Sequence, residues 1–190
     1  FVALKDVSVS FARNTLAAII GPNGAGKSTF FNVISGALAP STGRVSFEGR
    51  DITGLPQHAY ARLGIAKSFQ ITNVFPQLTA HENVRVAVQM RHRRFDLWTP
   101  RSRLVELGEQ ADALLDRVGI ADRRARKAQD MAHGEQRCLE VDMALACEPR
   151  LLLLDEPTAG MSPEETVTMM DLIVRLAAER TVILVEHTMK

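Results

Sequence analysis

A glycine-rich segment near the start of the chain has the residue types and spacing of a phosphate-binding loop. Residues 21–29 read GPNGAGKST and fill every fixed position of the pattern G-x-x-x-x-G-K-[ST]. Gly24 and Gly26 lack a Cβ, so the backbone can approach a phosphate closely, and Lys27 adds a full positive charge. The hydroxyl of Ser28 suits a magnesium ion. The candidate contacts are Asn23, Gly24, Gly26, Lys27, Ser28 and Thr29.

A chance match in a glycine-rich turn is the alternative interpretation of this segment. The apolar run at residues 15–20 predicts a buried strand before the glycines, and apolar residues recur at helical spacing from Phe30 to Leu38. A P-loop lies at such a turn from a strand into a helix. Both flanking elements therefore favour a P-loop.

Polar side chains follow three further apolar runs of the chain. Gln70 follows the first, Asp155 and Glu156 follow the second, and His187 lies just beyond the third. Phosphoryl transfer to water needs a carboxylate that holds a metal and a group that orients or deprotonates the water, which suits Asp155 and Glu156 respectively. Two acids after a strand can instead cap a helix, and Gln70 and His187 taken singly are more typical of structural residues.

The elements that must position these groups follow from hydrophobic periodicity. Alternating residues predict a half-buried strand over 1–11, and continuous apolar runs predict strands buried on both faces. The further predicted strands are residues 44–48, 64–69, 151–154 and 181–185. Their alternation with helices predicts a parallel α/β sheet, with a helical insertion from about residue 71 to residue 148. The carboxyl ends of such strands share one edge, where ligands bind.

Two helix starts are marked by residues that pair with free backbone N–H groups. Thr79 and Glu82 form one capping box, and Ser162, followed by Pro163 and Glu165, marks another start. In the helix that begins there, we expect an inward face made of Val167, Met170, Ile173 and Ala177.

Composition limits the classes of function. The chain has 190 residues, a formal net charge of +1 and 46% hydrophobic residues, which is ordinary for one globular domain. The nearly balanced charge gives no electrostatic reason to expect nucleic acid or an acidic membrane surface as a partner. No apolar run approaches the ~20 residues that cross a bilayer, so a membrane role would be peripheral.

The order of these segments resembles the nucleotide-binding domain of ABC transporters, of the type that serves branched-chain amino-acid importers. The resemblance rests on GPNGAGKST, Gln70, the HGEQR segment at residues 133–137, LLLLDEP at residues 151–157 and the VEH segment at residues 185–187. It covers the whole chain, 1–190, as a single domain. It implies a P-loop NTPase fold with a RecA-like parallel core, a helical subdomain over about 71–148 and a small antiparallel β part, with the chain truncated at both ends.

The resemblance also implies roles for single residues. Glu156 would be the catalytic base, and His187 would contact the γ-phosphate of ATP. Gln70 would contact both Mg²⁺ and the transmembrane partner, and Ser28 and Asp155 would complete the metal ligands. Residues 158–162 resemble the D-loop of the family.

In the family two such domains pair head to tail, so that each ATP meets the signature segment of the other chain. Where the family has L-S-x-G-Q, residues 131–135 read MAHGE. Ala132, Gly134 and Glu135 would therefore contact the partner's nucleotide, but Ala132 lacks the serine hydroxyl. A hydrogen bond to a charged group contributes ~1.5–3 kcal/mol, so we expect weakened composite binding or a degenerate site.

The function implied is the ATP-binding and ATP-hydrolysing subunit of an importer for branched-chain amino acids, with amide and urea importers as close relatives. Its cofactors would be ATP and Mg²⁺. Its partners would be permease subunits, a second nucleotide-binding subunit and, indirectly, a substrate-binding protein, at the cytoplasmic face of the inner membrane and without nucleic acid. The alternatives are a soluble ABC ATPase and a non-catalytic module with a degenerate signature. A GTPase is disfavoured because no N/T-K-x-D segment occurs.

Overall fold

The computed structural model describes residues 2–68, 74–92 and 101–186 of the chain. In chain order the elements are β1 (Leu16–Ile20), α1 (Lys27–Ile34), β2 (Ser46–Phe47), β3 (Arg50–Asp51), α2 (Gln57–Arg62), β4 (Ile65–Lys67), α3 (Ala80–His92), α4 (Arg101–Val118), α5 (His133–Leu145), β5 (Leu151–Asp155), α6 (Pro163–Ala177) and β6 (Thr181–Glu186). Single 3₁₀ turns occupy Ala121–Arg123 and Ala128–Asp130.

These elements divide into two compact units. The described part of the first unit is residues 2–68, 149–157 and 173–186. The second unit takes residues 74–92, 101–148 and 158–172. The first therefore holds the glycine-rich segment and every strand that these ranges contain, and the second holds α3, α4 and α5.

A parallel sheet forms the centre of the first unit. Its order is β1-β6-β5-β4, and each pairing is parallel. The leucines of β5 are at most 8% exposed because both faces of the strand are covered. Phe31 of α1 and Tyr60 of α2 pack with Leu153 in one core cluster. The predicted parallel α/β core is confirmed, and the antiparallel pair of β2 and β3 forms a small separate sheet.

The N-terminal segment corrects one prediction. Residues 2–11 contain no strand, and the alternating Val7, Val9 and Phe11 are 52%, 56% and 37% exposed. An alternating pattern is stable as a strand only when another strand pairs with it, and no described strand pairs with this segment. The prediction that residues 15–20 are fully buried is wrong as well. Strand β1 lies at the sheet edge, where Leu16 and Ile20 are 38% and 51% exposed.

Both predicted capping motifs form. The Thr79 N–H donates to Glu82 Oε2 at 2.8 Å, and the Glu82 N–H donates to Thr79 Oγ1 at 3.2 Å. At the start of α6, the Ser162 N–H donates to Glu165 Oε2 at 2.9 Å, and the Glu165 N–H donates to Ser162 Oγ at 3.2 Å. Each box satisfies N–H groups that the first helical turn leaves without a backbone partner.

The buried face of α6 agrees with the expected one at Ile173 and Ala177, which are 0% and 8% exposed, and differs from it at Val167. Val167 is 61% exposed, so it does not belong to the core. The side chains that the helix buries to 1% exposure or less are Met169, Leu172, Ile173 and Leu176. These four recur at spacings of three, one and three residues, which makes a wider and more apolar stripe than the one that includes Val167. The stronger stripe determines which face of the helix is buried.

A carboxyl group lies inside the second unit. Asp142 is on α5, which packs against α3 and α4, and its side chain is completely buried. Neither carboxylate oxygen has a hydrogen-bond partner among the described residues. Burial raises the pKa of Asp142 to about 8, although the positive charge of Arg117 on α4 opposes the shift. The folded chain therefore holds Asp142 as the neutral acid near neutral pH.

This group makes folding stability depend on pH. The unfolded chain releases the Asp142 proton near the ordinary aspartate pKa of 3.8 and the folded chain releases it near 8, so unfolding releases a proton between these two pH values. The titration of Asp142 should therefore lower the free energy of unfolding by roughly 1.4 kcal/mol for each unit of rising pH across that window. Asp142→Asn should remove that slope and stabilise the chain most at pH 7 to 8.

Urea denaturation of both forms at pH 5, 6, 7 and 8 measures the effect. Asp116→Asn serves as the control because Asp116 is exposed on the neighbouring helix α4. Equal pH slopes in the wild type and in Asp142→Asn would show that the carboxyl group is not held neutral in the fold.

Candidate functional site

The glycine-rich segment lies between β1 and α1 of the first unit, as a P-loop does. Lys27 is the first residue of α1 and is only 7% exposed. Its Nζ donates to the carbonyl oxygens of Gly21 at 2.5 Å and Pro22 at 3.0 Å. The ammonium group is thus held inside the curve of the loop by the loop's own backbone. An anionic ligand could take over these hydrogen bonds and would meet a full charge.

One glycine of the loop is required by its surroundings. Gly26 precedes α1 with φ of 87°, a conformation that L side chains rarely adopt. A Cβ at this position would lie 2.7 Å from the Ala3 carbonyl oxygen and 2.9 Å from Leu4 Cδ2. The N-terminal segment therefore lies against the loop and leaves no room for a side chain at Gly26.

The other residues proposed from the sequence line the same turn. Asn23, Gly24 and Ser28 are exposed, and Thr29 is half-buried. Because Ser28 and Thr29 belong to the first turn of α1, their N–H groups lie at the positive end of the helix dipole. The loop therefore presents N–H groups, a hydroxyl and a buried ammonium group in nine consecutive residues, which is the chemistry that binds a di- or triphosphate.

The acidic pair lies at the C-terminal end of β5, which is separated from β1 by β6 in the sheet. Asp155 is the last residue of β5 and is in register with Val185 of β6, and Ile20 of β1 is in register with Glu186. Asp155 and the glycine-rich loop therefore both lie at the carboxyl ends of the parallel strands, with β6 between them. Gln70 and His187, which follow β4 and β6 in the sequence, lie outside the described residues.

Glu156 has an unusual backbone. Its φ is 49°, in the left-handed region, and its N–H donates to the Val185 carbonyl at 2.9 Å. A non-glycine residue in this region is strained by about 1–2 kcal/mol. The hydrogen bond to β6 fixes the backbone of Glu156 just beyond the end of β5. The left-handed φ turns the chain sharply at this point.

A lysine that the sequence patterns do not single out lies in the same unit. Lys67 ends β4, and its Nζ donates to Asn32 Oδ1 of α1 at 2.8 Å and lies 5.0 Å from the centre of the Phe31 ring. Burial lowers the pKa of Lys67, and the negative charge of Asp155 opposes that shift. This lysine therefore adds positive charge on the Asp155 side of the sheet. A single lysine at a strand end gives no sequence signal for such a role.

The segment MAHGE at residues 131–135 forms the start of α5 in the second unit. Ala132 is the N-cap, and its N–H donates to Glu135 Oε2 at 2.9 Å. Arg123 Nε lies 2.5 Å from Glu135 Oε1, and Arg126 lies 3.5 Å from Glu135 Oε2. Burial acts to raise the pKa of Glu135, but the bonds to Arg123 and the Ala132 N–H outweigh it, and the pKa is lowered. Glu135 is therefore a carboxylate whose charge is balanced by arginines.

The same segment packs against the residues around the start of α6. A Cβ on Gly134 would lie 2.4 Å from Glu165 Oε1, so a larger residue there would require the Glu165 side chain to move. The ring nitrogen Nε2 of His133 is 3.2 Å from the Ala159 carbonyl oxygen. The sequence motif includes His133 but predicts no role for it, and this contact joins the start of α5 to the loop before α6.

A comparison with protein-family models matches residues 4–159 to the family described as ABC transporter. This chain belongs to the ABC transporter family. The match includes the P-loop, the signature segment and the Asp155-Glu156 pair. As a member of this family of ATPases, the chain binds ATP and ADP and hydrolyses ATP. None of its described helices combines the length and apolar character needed to cross a membrane.

Relatives of this family member are named for two kinds of cargo. It is 38% identical to the high-affinity branched-chain amino acid transport ATP-binding protein BraF of Pseudomonas aeruginosa, covering 100% of this chain and 77% of that protein. It is 36% identical to LivG of Salmonella typhimurium, which carries the same description, with the same coverage. It is also 35% identical to the lipopolysaccharide export system ATP-binding protein LptB of Acidithiobacillus ferridurans, covering 100% of this chain and 75% of that protein.

Solved structures of ABC ATPases have the same fold. The ADP conformation of MJ1267, an ATP-binding cassette of an ABC transporter, matches with a TM-score of 0.86 and 31% identity, covering 99% of this chain and 76% of that one. A dimeric post-hydrolysis state of the cassette MJ0796, bound to ADP and Pi, matches with a TM-score of 0.81 and 27% identity, covering 98% and 80%.

Proposed function

We propose that this chain energises the uptake of branched-chain amino acids, or of related amides and urea, as the ATP-binding subunit of an ABC importer. The observation that carries the proposal is the full-length similarity to BraF and LivG, at 38% and 36% identity. The similarity to LptB, at 35%, makes lipopolysaccharide export the competing cargo. Cargo is selected by subunits other than the ATPase, so the test must use the assembled transporter.

In this proposal the first unit holds the nucleotide. Lys27, already directed into the loop, exchanges the Gly21 and Pro22 carbonyls for the β- and γ-phosphates of ATP. The exposed backbone of Asn23 and Gly24 and the first turn of α1 supply N–H donors. Gly26 keeps the loop close to the N-terminal segment, and Thr29 completes the first helical turn. Each of these groups acts on the phosphates and none on the base, which is consistent with a site built for the triphosphate.

The oxygen donors at this edge fit Mg²⁺. Ser28 offers a hydroxyl and Asp155 a carboxylate, which are hard ligands of the kind that Mg²⁺ takes together with phosphate oxygens and water. Within the described residues no group of three or more acidic, histidine or cysteine side chains is placed to hold a metal ion. When bound, the ion would neutralise charge that develops on the phosphates. Gln70 is proposed as a further ligand.

Glu156 is proposed as the base that accepts a proton from the attacking water. The Glu156 N–H is bonded to β6, so the carboxylate is carried on backbone fixed just beyond the sheet edge. A base held within hydrogen-bond reach of the water contributes ~10²–10⁴-fold to the rate. His187 is proposed to contact the γ-phosphate on the same side.

The start of α5 is proposed to contact the nucleotide of a second chain that pairs head to tail. The N-terminal turn of a helix offers N–H groups to an anion, which suits Gly134, and Ala132 lies beside it as the N-cap. A carboxylate beside a phosphate is ordinarily repulsive. Here Arg123 and Arg126 balance the charge of Glu135, which makes its position beside a nucleotide possible. The second chain is either an identical copy or a paralogue in a heterodimer, and the interface chemistry is the same in both cases.

The proposed partner in the membrane is a permease subunit that holds this chain at the cytoplasmic face. Its docking surface is proposed to be the segment from Ile71 to Leu78, of which residues 71–73 lie outside the described residues. The described residues 74–79 are termed the docking loop. Phe75 in this loop is 50% exposed, and Val74 and Leu78 are half-buried beside it. A large exposed aromatic side chain is typical of residues that dominate interface energy. A substrate-binding protein would act only through the permease.

Phe75→Ala tests coupling and cargo in one experiment. In the full transporter reconstituted with its permease, we expect uptake of leucine, isoleucine and valine to fall about tenfold, as loss of an interface anchor weakens association by ~1–3 kcal/mol. Basal ATP hydrolysis should continue because Phe75 does not belong to the nucleotide site. Val105→Ala, which truncates another apolar side chain that is 55% exposed, is the matched control.

Three outcomes are informative. Unchanged uptake in Phe75→Ala would remove the docking role of the loop. Uptake of amides or urea instead of the three amino acids would identify the cargo as another member of the proposed class. A wild-type complex that moves none of these solutes, and moves lipopolysaccharide, would overturn the cargo assignment.

A further inference from the structure

The docking loop is tied to a single buried side chain. Asn83 lies in the first turns of α3 and is completely buried. Its Oδ1 accepts the Phe75 N–H at 2.7 Å. Its Nδ2 donates to the carbonyl oxygens of Thr79 at 2.9 Å, Phe75 at 3.1 Å and Leu78 at 3.3 Å.

These bonds engage both ends of the amide group. A primary amide has one oxygen that accepts and two N–H groups that donate, and Asn83 uses all three positions on the loop backbone. The backbone of Phe75 is bound on both sides, through its N–H and through its carbonyl. A buried amide bonded in this way to backbone groups of a loop fixes the loop's path, because leaving any of these groups unpaired in the interior is unfavourable.

The opposite side of the loop is bound to the segment around the 3₁₀ turn of Ala128–Asp130. The Ala128 N–H donates to the Leu78 carbonyl at 2.9 Å, and the Gln129 N–H donates to the Pro76 carbonyl at 3.1 Å. At the surface, Gln77 Nε2 donates to Gln129 Oε1 at 2.8 Å. The carbonyls of Phe75, Pro76, Leu78 and Thr79 are therefore occupied, while the Phe75 side chain remains half exposed.

We infer that Asn83 is a positioning residue that presents Phe75 to the permease in a fixed orientation. The inference rests on the docking role proposed above for the loop. A loop ordered before binding loses less conformational entropy when the partner arrives, so preorganisation strengthens association without adding a contact. Asn83 is buried and cannot touch the permease itself, which separates its role from that of Phe75.

The test compares Asn83→Ala and Asn83→Asp in the full-length protein and in the transporter assembled with its permease. Amide hydrogen exchange should accelerate by at least about tenfold at Phe75 in Asn83→Ala, because the acceptor for its N–H is gone. Asn83→Asp keeps an acceptor for that N–H but loses the donors to the three carbonyls. Its exchange at Phe75 should therefore stay closer to that of the wild type. Both variants should bind the permease about tenfold more weakly, with kcat and KM for basal ATP hydrolysis unchanged.

Gln129→Ala is the matched control, since it removes the surface bond to Gln77 from outside the docking loop and should leave permease affinity within about twofold. Faster exchange at Phe75 with wild-type affinity for the permease in both variants would overturn the inference. If Asn83→Ala does not fold, the comparison of Asn83→Asp with the wild type tests the inference. An unprotected Phe75 amide in the wild type, or normal affinity in Asn83→Asp, also overturns it. If Phe75→Ala alone leaves coupling intact, the docking proposal fails instead, whatever the exchange rates show.

Discussion

Lys27→Ala is expected to abolish ATP binding at micromolar nucleotide. Lys27 is the buried cation of the loop, and its Nζ is held by two backbone carbonyls at the position where phosphate would bind. Truncating one partner of a buried charged pair weakens binding by about 2–5 kcal/mol, or roughly 30-fold to several thousand-fold in Kd. Titration of a fluorescent ATP analogue against the full-length protein measures the change.

Lys127→Ala is the control for this experiment, because it removes the same charge from an exposed position of the second unit. Circular dichroism should show that Lys27→Ala is folded. An ATP affinity equal to that of the wild type in a folded Lys27→Ala variant would contradict the assignment of residues 21–29 as the nucleotide site.

Glu156→Gln is expected to retain ATP while slowing hydrolysis by about 10²–10⁴-fold, the range for loss of a general base. Glutamine preserves the size of the side chain and one acceptor oxygen but removes the charge and the base, so nucleotide affinity should change little. Single-turnover hydrolysis measured in the assembled transporter separates the chemical step from binding. If two chains pair around ATP, the variant should also accumulate as an ATP-bound dimer in gel filtration.

Glu164→Gln provides the matched change, since Glu164 is an exposed carboxylate in the first turn of α6. Hydrolysis at the wild-type rate in Glu156→Gln would assign the proton transfer to another group. A loss of ATP affinity equal to the loss of rate would indicate a binding role for Glu156.

The parts of the fold that the sequence predicted well are those set by local patterns. The run LLLLDE predicted a buried strand that ends in two acids, and β5 ends at Asp155 as expected. The capping boxes at Thr79 and Ser162 were also predictable, because each depends on two residues three positions apart. A P-loop is predictable for the same reason, since its pattern spans only eight residues and includes its own turn.

Features set by distant parts of the chain were not predictable. Residues 2–11 have a strand-like alternation, but strand formation depends on a pairing partner that the pattern does not specify. Val167 fitted a helical stripe, and a stronger stripe on the same helix faces the core instead. Asn83 gave no signal because an asparagine inside a helix is ordinary, and its four bonds exist only once the docking loop folds back over α3. The arginines beside Glu135 lie 9 and 12 positions earlier and gave no signal for the same reason.

In the role of base proposed for Glu156, its left-handed backbone is a cost in stability that accompanies activity. Glycine would adopt a φ of 49° without the steric penalty, so a glycine variant should relieve up to about 1–2 kcal/mol of backbone strain. Such a substitution would remove the carboxylate, so the proposed role of Glu156 as the base leads us to expect a more heat-resistant but inactive chain. Stability-guided engineering of this chain would therefore be drawn toward replacing Glu156, and should hold that residue fixed.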